Sequence, residues 1–212
     1  GFRHPHPEWL SKAHYGLPEL FEMPAGVQLV SNPGCYATAA ILALAPLVQD
    51  GLLKTGAPIF VDGKSGTTGA GRNAKEALIF SEVAENLRPY RVAKHQHTPE
   101  IERALGRVGT LGPVSFTAHL IPMQRGILVS VYGQAAEGLT QDKLHSSFTE
   151  RNSTWVRWVD RPPETARVRG QNFVELHAAL DPRAGAVLAF AAIDNLVKGA
   201  AGQAMQNLDA LL

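Results

Sequence analysis

The 212-residue sequence holds a single cysteine, three methionines and three tryptophans. One thiol cannot close an internal disulfide. That excludes a disulfide-stapled scaffold and fits a reducing compartment, so a cytoplasmic protein is expected. Charge is also scarce: Asp, Glu, Lys and Arg make up 18% of residues, and the formal net charge is +1. With no basic excess to neutralise phosphates, nucleic acid is not an expected partner. No stretch of about 18 apolar residues is present, so no membrane-spanning helix is expected. The opening GFRHPHPEWL lacks the charged-then-apolar order of a signal peptide. Phe2 and Trp9 arrive with no preceding strand, which reads as the interior of a domain rather than its beginning.

What is present is an ordinary globular composition, 45% hydrophobic, without internal repeats or low-complexity tracts. Val27–Val30 reads as a short strand that runs into a Pro-Gly turn. Tyr36–Val48 is alanine-rich and apolar and predicts a buried helix. Pro58–Val61 predicts a strand, and DGKSGTTGAGR (62–72) reads as a glycine-rich loop. Thr98 is expected to cap a helix through Leu105, with Pro99 at its first position. Residues 114–120, 126–133, 154–159, 173–180 and 186–192 read as strands, and Thr140–Arg151 as a capped surface helix. A last helix follows Asp194 as its cap. Gly199 and Gly202 inside it cost about 1 kcal/mol each against alanine, which suggests the close approach of another backbone or a ligand. Strands and helices do not alternate regularly, so the fold class is α+β with a mixed or antiparallel sheet.

Several residues suggest chemistry. Cys35 directly precedes the predicted helix, where free amides and the helix dipole favour a thiolate nucleophile, so a lowered thiol pKa is expected. The alternative is a buried structural cysteine. His95 and His97 share a face if extended and precede a helix, a suitable place for a general acid–base. His95-x-His97-x-x-Glu100 could instead be metal ligands, but no further Cys/His cluster completes a site, and no metal is expected. Lys64, Ser65 and Arg72 in the glycine loop could surround an anion, although the spacing matches neither dinucleotide nor P-loop patterns. His119 and Arg125 lie near Gly126, and Arg125 could clamp a carboxylate or be an ordinary surface charge. A thiol, a histidine and a cationic loop together suggest acyl transfer through a thioester, as in a cysteine hydrolase, a thioester-forming dehydrogenase or an acyltransferase.

The stretches SNPGCYATAAILALAP, KSGTTGAGR, FSEVAENLRPYRVAKHQHTPEIE, HLIPMQRGILVSVY and AIDNLVKGAAGQAMQN resemble, in order and spacing, the N-acetyl-γ-glutamyl-phosphate reductases of arginine biosynthesis. Those enzymes are related to aspartate-semialdehyde dehydrogenases. The resemblance implies a semialdehyde-dehydrogenase-type catalytic domain and an NADPH-dependent oxidoreductase. Cys35 would form the acyl-thioester, with His97, or second His95, as acid–base group. It further implies substrate contacts at Lys64, Ser65, Arg72, Glu82 and Arg125, and NADP(H) contacts at Asn195, Gly66 and Gly69. The implied substrate is N-acetyl-glutamyl phosphate and the implied assembly a homodimer or homotetramer. Residues 1–33 would be the remnant of a Rossmann-like nucleotide domain, 34–189 the catalytic and oligomerisation domain, and 190–212 a helix packing on the nucleotide domain. The alternatives are an enzyme of the aspartate-semialdehyde dehydrogenase type and a catalytically silent dimerisation module.

Overall fold

The buried helix is the centre of the molecule. The computed structural model describes residues 6–71 and 73–212. In it α1 runs over Cys35–Gln49, and every residue from Tyr36 to Val48 is buried. Alanines at 37, 39, 40, 43 and 45 are spread around the helix and keep it thin enough for close packing on all sides. Pro46 stays inside the last turn without ending the helix, its carbonyl accepting from the Asp50 amide.

That sheet has seven strands among the described residues: β3 (Ile59–Ser65), β4 (Arg88–Tyr90), β5 (Val114–Leu120), β6 (Ile127–Gln134), β7 (Val156–Trp158), β8 (Val174–Asp181) and β9 (Ala186–Ile193). Two further strands, β1 (His14–Tyr15) and β2 (Val30–Ser31), form a separate parallel pair. The order β4-β5-β3-β6-β9-β8-β7 is mixed: β3/β5 and β7/β8 are parallel and the other pairs antiparallel. This is the expected α+β class. Helices α3 (His97–Leu105) and α4 (Gln141–Thr149) flank α1 on one side of the sheet, closing one continuous core. Thr140 caps α4 as expected, its hydroxyl accepting from the Lys143 amide at 3.2 Å.

The other sheet face carries less. Val168 of α5 (Thr165–Val168), with Phe173, Leu128 and Ala192, covers a small part of it. Elsewhere Phe60 and Tyr132, paired in register, stay largely exposed.

Four expectations need correction. The strand β3 extends through Ser65, so residues 62–65 are not loop. Its alternation then sends Ser65 inward and Lys64 to the opposite face, where Lys64 Nζ pairs with Asp62 at 2.6 Å. The 27–30 strand shrinks to Val30–Ser31, and the 154–159 strand to Val156–Trp158. Thr98 does not cap α3, which begins one residue earlier at His97. The ring Nδ1 of His95 accepts the His97 amide instead, at 3.2 Å.

The C-terminal segment begins where expected. Asp194 Oδ1 accepts the amides of Leu196 and Val197. A π-helical turn, Val197–Ala201, then leads into α6 (Gly202–Asp209). Helix α6 packs on the 14–32 segment: Asn207 Nδ2 donates to Gly16 O and Asn32 Oδ1, both at 2.9 Å. Gly199 is where a backbone comes close, since a Cβ there would lie 2.8 Å from Cys35 Cβ and 3.3 Å from Cys35 Cα. Gly202 lies against the Asn172 side chain. Helix propensity alone predicts that Gly199→Ala stabilises the protein by about 1 kcal/mol. Overpacking against Cys35, worth about 1–3 kcal/mol, should reverse that sign. Urea unfolding of Gly199→Ala is expected to show a net loss of stability; a gain would mean that the contact relaxes freely.

Candidate active site

Cys35 is the first residue of α1, after Gly34 in extended conformation. Three groups fix this turn. From α3, Glu100 Oε1 accepts the Gly34 amide at 3.0 Å and the Tyr15 hydroxyl at 2.8 Å. The His97 ring lies directly over Gly34, so that any side chain there would overlap its Nε2 edge. The π-helical turn closes the far side at Gly199. Gly34 is therefore needed for space, not for a left-handed backbone, since its φ is −67°.

The half-buried thiol opens into a cavity of about 500 Å³. Ser65, Gly66, Gly69, His95 and His97 line it, as do Lys75, Arg88 and Arg91. Thus, among the described residues, three cations and no carboxylate line the space beside the sulfur. Arg88 donates to the Ala77 carbonyl and Arg91 to the Gln96 side chain, which leaves further guanidinium N–H groups on each for a ligand. Arg91 and Ala93 hold positive φ values of 49° and 56°, so the segment between β4 and α3 is backbone-strained at the cavity wall.

Electrostatics modify the expected thiolate. Burial pushes the Cys35 thiol above its ordinary pKa, more than its own and the Tyr36 backbone amides pull it down, and the nearby Glu100 charge adds to the rise. The lowered pKa expected from the helix start is therefore not what this environment gives: desolvation outweighs the dipole. Both imidazoles are driven the other way, to about 4, by burial first. For His95 the neighbouring His97 comes next, and Arg91 opposes protonation of both rings. The resting pair at neutral pH is thiol and neutral imidazole. Burial likewise raises the Glu100 carboxyl, while the Gly34 amide and Tyr15 hydroxyl work against it.

The two histidines differ in setting. His95 is 5% exposed and packs edge-on among Tyr36, Tyr90 and Phe116, with its Nδ1 occupied by the His97 amide. His97 lies against the Gly34–Cys35 turn, and its Nδ1 is buried without a partner.

The other candidates separate. Ser65, Gly66 and Gly69 line the cavity. Lys64 is on the opposite sheet face with Asp62, and His119 Nδ1 joins the same carboxylate at 2.9 Å. Arg125 Nε is held by the fully buried Asp194 at 2.6 Å and does not line the cavity. Burial alone would raise Asp194, but the Gly170 amide, Arg125 and the Leu196 and Val197 amides hold it below the usual carboxylate range. Asn195 accepts the Gly126 amide at 2.7 Å and donates to Thr68 Oγ1 at 3.0 Å, so its amide ties the Thr67–Ala70 turn to the start of β6. Glu82 lies exposed in α2 (Phe80–Val83), its carbonyl accepting from Asn86. Arg72 falls outside the described residues. Among those described, no group of three or more His, Cys, Asp or Glu residues is arranged to hold a metal ion.

Sequence reasoning missed Lys75, Arg88, Arg91 and Tyr15. Arg88 and Arg91 flank a Pro-Tyr pair just before the histidines, but no spacing rule marks such cations as cavity-lining.

Comparison with known proteins bears on the family. The profile of the family described as semialdehyde dehydrogenase, dimerisation domain, matches residues 35–195. Curated N-acetyl-γ-glutamyl-phosphate reductases are similar throughout: that of Thermus thermophilus is 46% identical over 100% of this chain and 65% of its own length. That of Desulforudis audaxviator is 46% identical over 98% and 62%, and that of Campylobacter jejuni subsp. doylei 42% identical over 98% and 62%. The chain thus spans somewhat under two thirds of these relatives. Aspartate semialdehyde dehydrogenase II of Vibrio cholerae, solved in complex with ASA, shares the fold at TM-score 0.75 and 15% identity, covering 97% of this chain and 70% of that one. The histidine-framed helix-start cysteine, the mixed sheet and these matches lead to one conclusion: this chain belongs to the semialdehyde dehydrogenase dimerisation-domain family.

Proposed function

We propose that this chain is the cysteine-bearing part of an NADPH-dependent reductase of N-acetyl-γ-glutamyl phosphate, acting in the cytoplasm in arginine biosynthesis. One observation carries the reading: Cys35 and His97 line one cavity whose described lining residues include three cations and no acid, suited to an acyl phosphate that also bears a carboxylate. The identity of the curated relatives supports the substrate named.

In this reading Arg88, Arg91 and Lys75 bind the phosphate and carboxylate of the substrate. Ser65 and the Gly66 backbone border the acyl group. His97, neutral at pH 7, takes the thiol proton as the sulfur attacks the acyl carbon. The carbon–oxygen bond to phosphate breaks, phosphate leaves, and the acyl group stays on Cys35 as a thioester. When bound, NADPH supplies the hydride that reduces this acyl group to the aldehyde level. The carbon–sulfur bond then breaks, its electron pair returns to sulfur, and N-acetyl-glutamate 5-semialdehyde is released. Gly69, exposed at the edge of the cavity, would border the nicotinamide end of the cofactor. In the same reading residues 1–33 belong to a nucleotide-binding domain on which residues 190–212 pack. The exposed Phe60–Tyr132 face suits a second copy of the chain.

Incubation with N-acetyl-glutamyl phosphate should acylate Cys35 and release one phosphate per chain, read by intact mass and phosphate assay. Cys35→Ser should lose both. His97→Asn should slow acylation by on the order of 10²–10⁴, and His95→Asn by less. Acylation of another residue, or the reverse ranking of the histidines, would overturn the assignment.

Glu100 acts here as a positioning residue. Glu100→Ala leaves the Gly34 amide and the Tyr15 hydroxyl without their partner and should cost about 1–3 kcal/mol of stability. Glu100→Gln can still accept both bonds, so it should restore most of that stability. It also removes a negative charge near the sulfur and should lower the Cys35 pKa relative to wild type. An unchanged thiol pH profile in Glu100→Gln would exclude this electrostatic coupling.

A further inference from the structure

A cation and two imidazoles share the wall of the Cys35 cavity. Arg91, His95 and His97 all line it. Arg91 Nη1 donates to the side chain of Gln96, which directly precedes α3, so the guanidinium is tied to the helix start that carries His97. Among the described residues Arg91 enters no ion pair, and its other N–H groups remain for a ligand. Its charge stands uncompensated beside two rings that must each become cations to act as bases.

The surroundings of His97 offer little to a proton. Its Nε2 edge lies over the Gly34–Cys35 turn. The Tyr36 and His95 rings stand edge-on to it, with centroids at 6.1 and 4.7 Å. On its own helix the Glu100 carboxylate is turned to the Gly34 amide and the Tyr15 hydroxyl. Protonated, the ring carries an N–H at Nδ1, which is buried and meets no acceptor among the described residues. Burial first and Arg91 second hold the imidazole at about 4, which makes it a weak acceptor for a thiol proton. Of the three cations that line the cavity, Arg91 is the one that acts on either ring.

We propose that Arg91 receives the phosphate group of the acyl phosphate and thereby makes His97 a competent base: the bound dianion compensates the guanidinium and favours the imidazolium. This deepens the reductase reading and rests on it. His97 takes the thiol proton as the sulfur attacks the acyl carbon. The carbon–oxygen bond breaks, its electron pair leaves with phosphate, and phosphate takes a proton from solvent. With phosphate gone, the imidazolium again faces an uncompensated guanidinium and is a stronger acid. It returns its proton to sulfur as the carbon–sulfur bond breaks. Arg91 thus acts on the thiol through His97, with opposite effect in the two half-reactions.

The test uses sulfate, a dianion of phosphate's shape that does not titrate near neutrality. It reads the His97 imidazole nitrogens by NMR about one pH unit above the His97 midpoint, at constant ionic strength, with His97→Asn to assign them. Excess sulfate should raise the imidazolium-to-imidazole ratio of His97 about fivefold, the low end of couplings between bound groups. Arg91→Gln should raise that ratio in the absence of sulfate and remove most of the further response. Arg91→Lys keeps the charge and should behave like the wild type. Acetate, a monoanion, should have a smaller effect than sulfate. An unmoved ratio in excess sulfate, an unchanged ratio in Arg91→Gln, or an Arg91→Lys protein that behaves like Arg91→Gln would each overturn the proposal. An acetate effect equal to that of sulfate would give Arg91 to the substrate carboxylate and overturn it too. None of these readings involves acylation, so a failure to acylate Cys35 would sink the reductase reading and leave the coupling of Arg91 to His97 standing.

Discussion

The carboxylate of Glu100 holds the Gly34 amide at the start of the central helix, and the placement of the Cys35 thiol depends on that bond. The same oxygen receives the Tyr15 hydroxyl, so one buried acid joins α3, the helix start and the β1 segment. His97 belongs to the first turn of the same α3 and rests on Gly34. Thiol, imidazole and carboxylate are thereby registered by two short helices. The alanine-rich α1, buried from Tyr36 to Val48, leaves only its first turn at the cavity.

The two sheet faces divide the work. One packs α1, α3 and α4 and carries the core. The other presents Phe60, Tyr132 and the Asp62–Lys64–His119 cluster. A residue's parity along β3 therefore decides whether it serves the cavity or the open face, and Ser65 and Lys64 fall on opposite sides for that reason alone.

Much of this was legible in the sequence. The helix at 36–48, the strand at 114–120, the Thr140 and Asp194 caps and the crowded Gly199 all followed from periodicity, cap chemistry and glycine cost. The place of Cys35 at a helix start was legible too. What escaped depends on parity and distance. A glycine-rich stretch hid the last four residues of β3, and with them the outward turn of Lys64. The pairing of Arg125 with Asp194, 69 residues on, was not legible either. Arg88, Arg91 and Tyr15 reach the site only through strand pairing and a long-range hydrogen bond, which no local pattern records. The thiol's pKa went astray for a related reason: a helix start is visible in sequence, but the burial that outweighs it is not.

The central claim is that packing, not a preformed charge, sets the state of the thiol: burial and Glu100 keep Cys35 protonated beside a neutral His97. Ultraviolet titration of the thiolate, with Cys35→Ser as the blank, measures this directly because the chain has no other cysteine. The account predicts a midpoint above the value of about 8.5 for a free thiol. A midpoint near neutrality, with a thiolate already formed beside a protonated histidine, would contradict it.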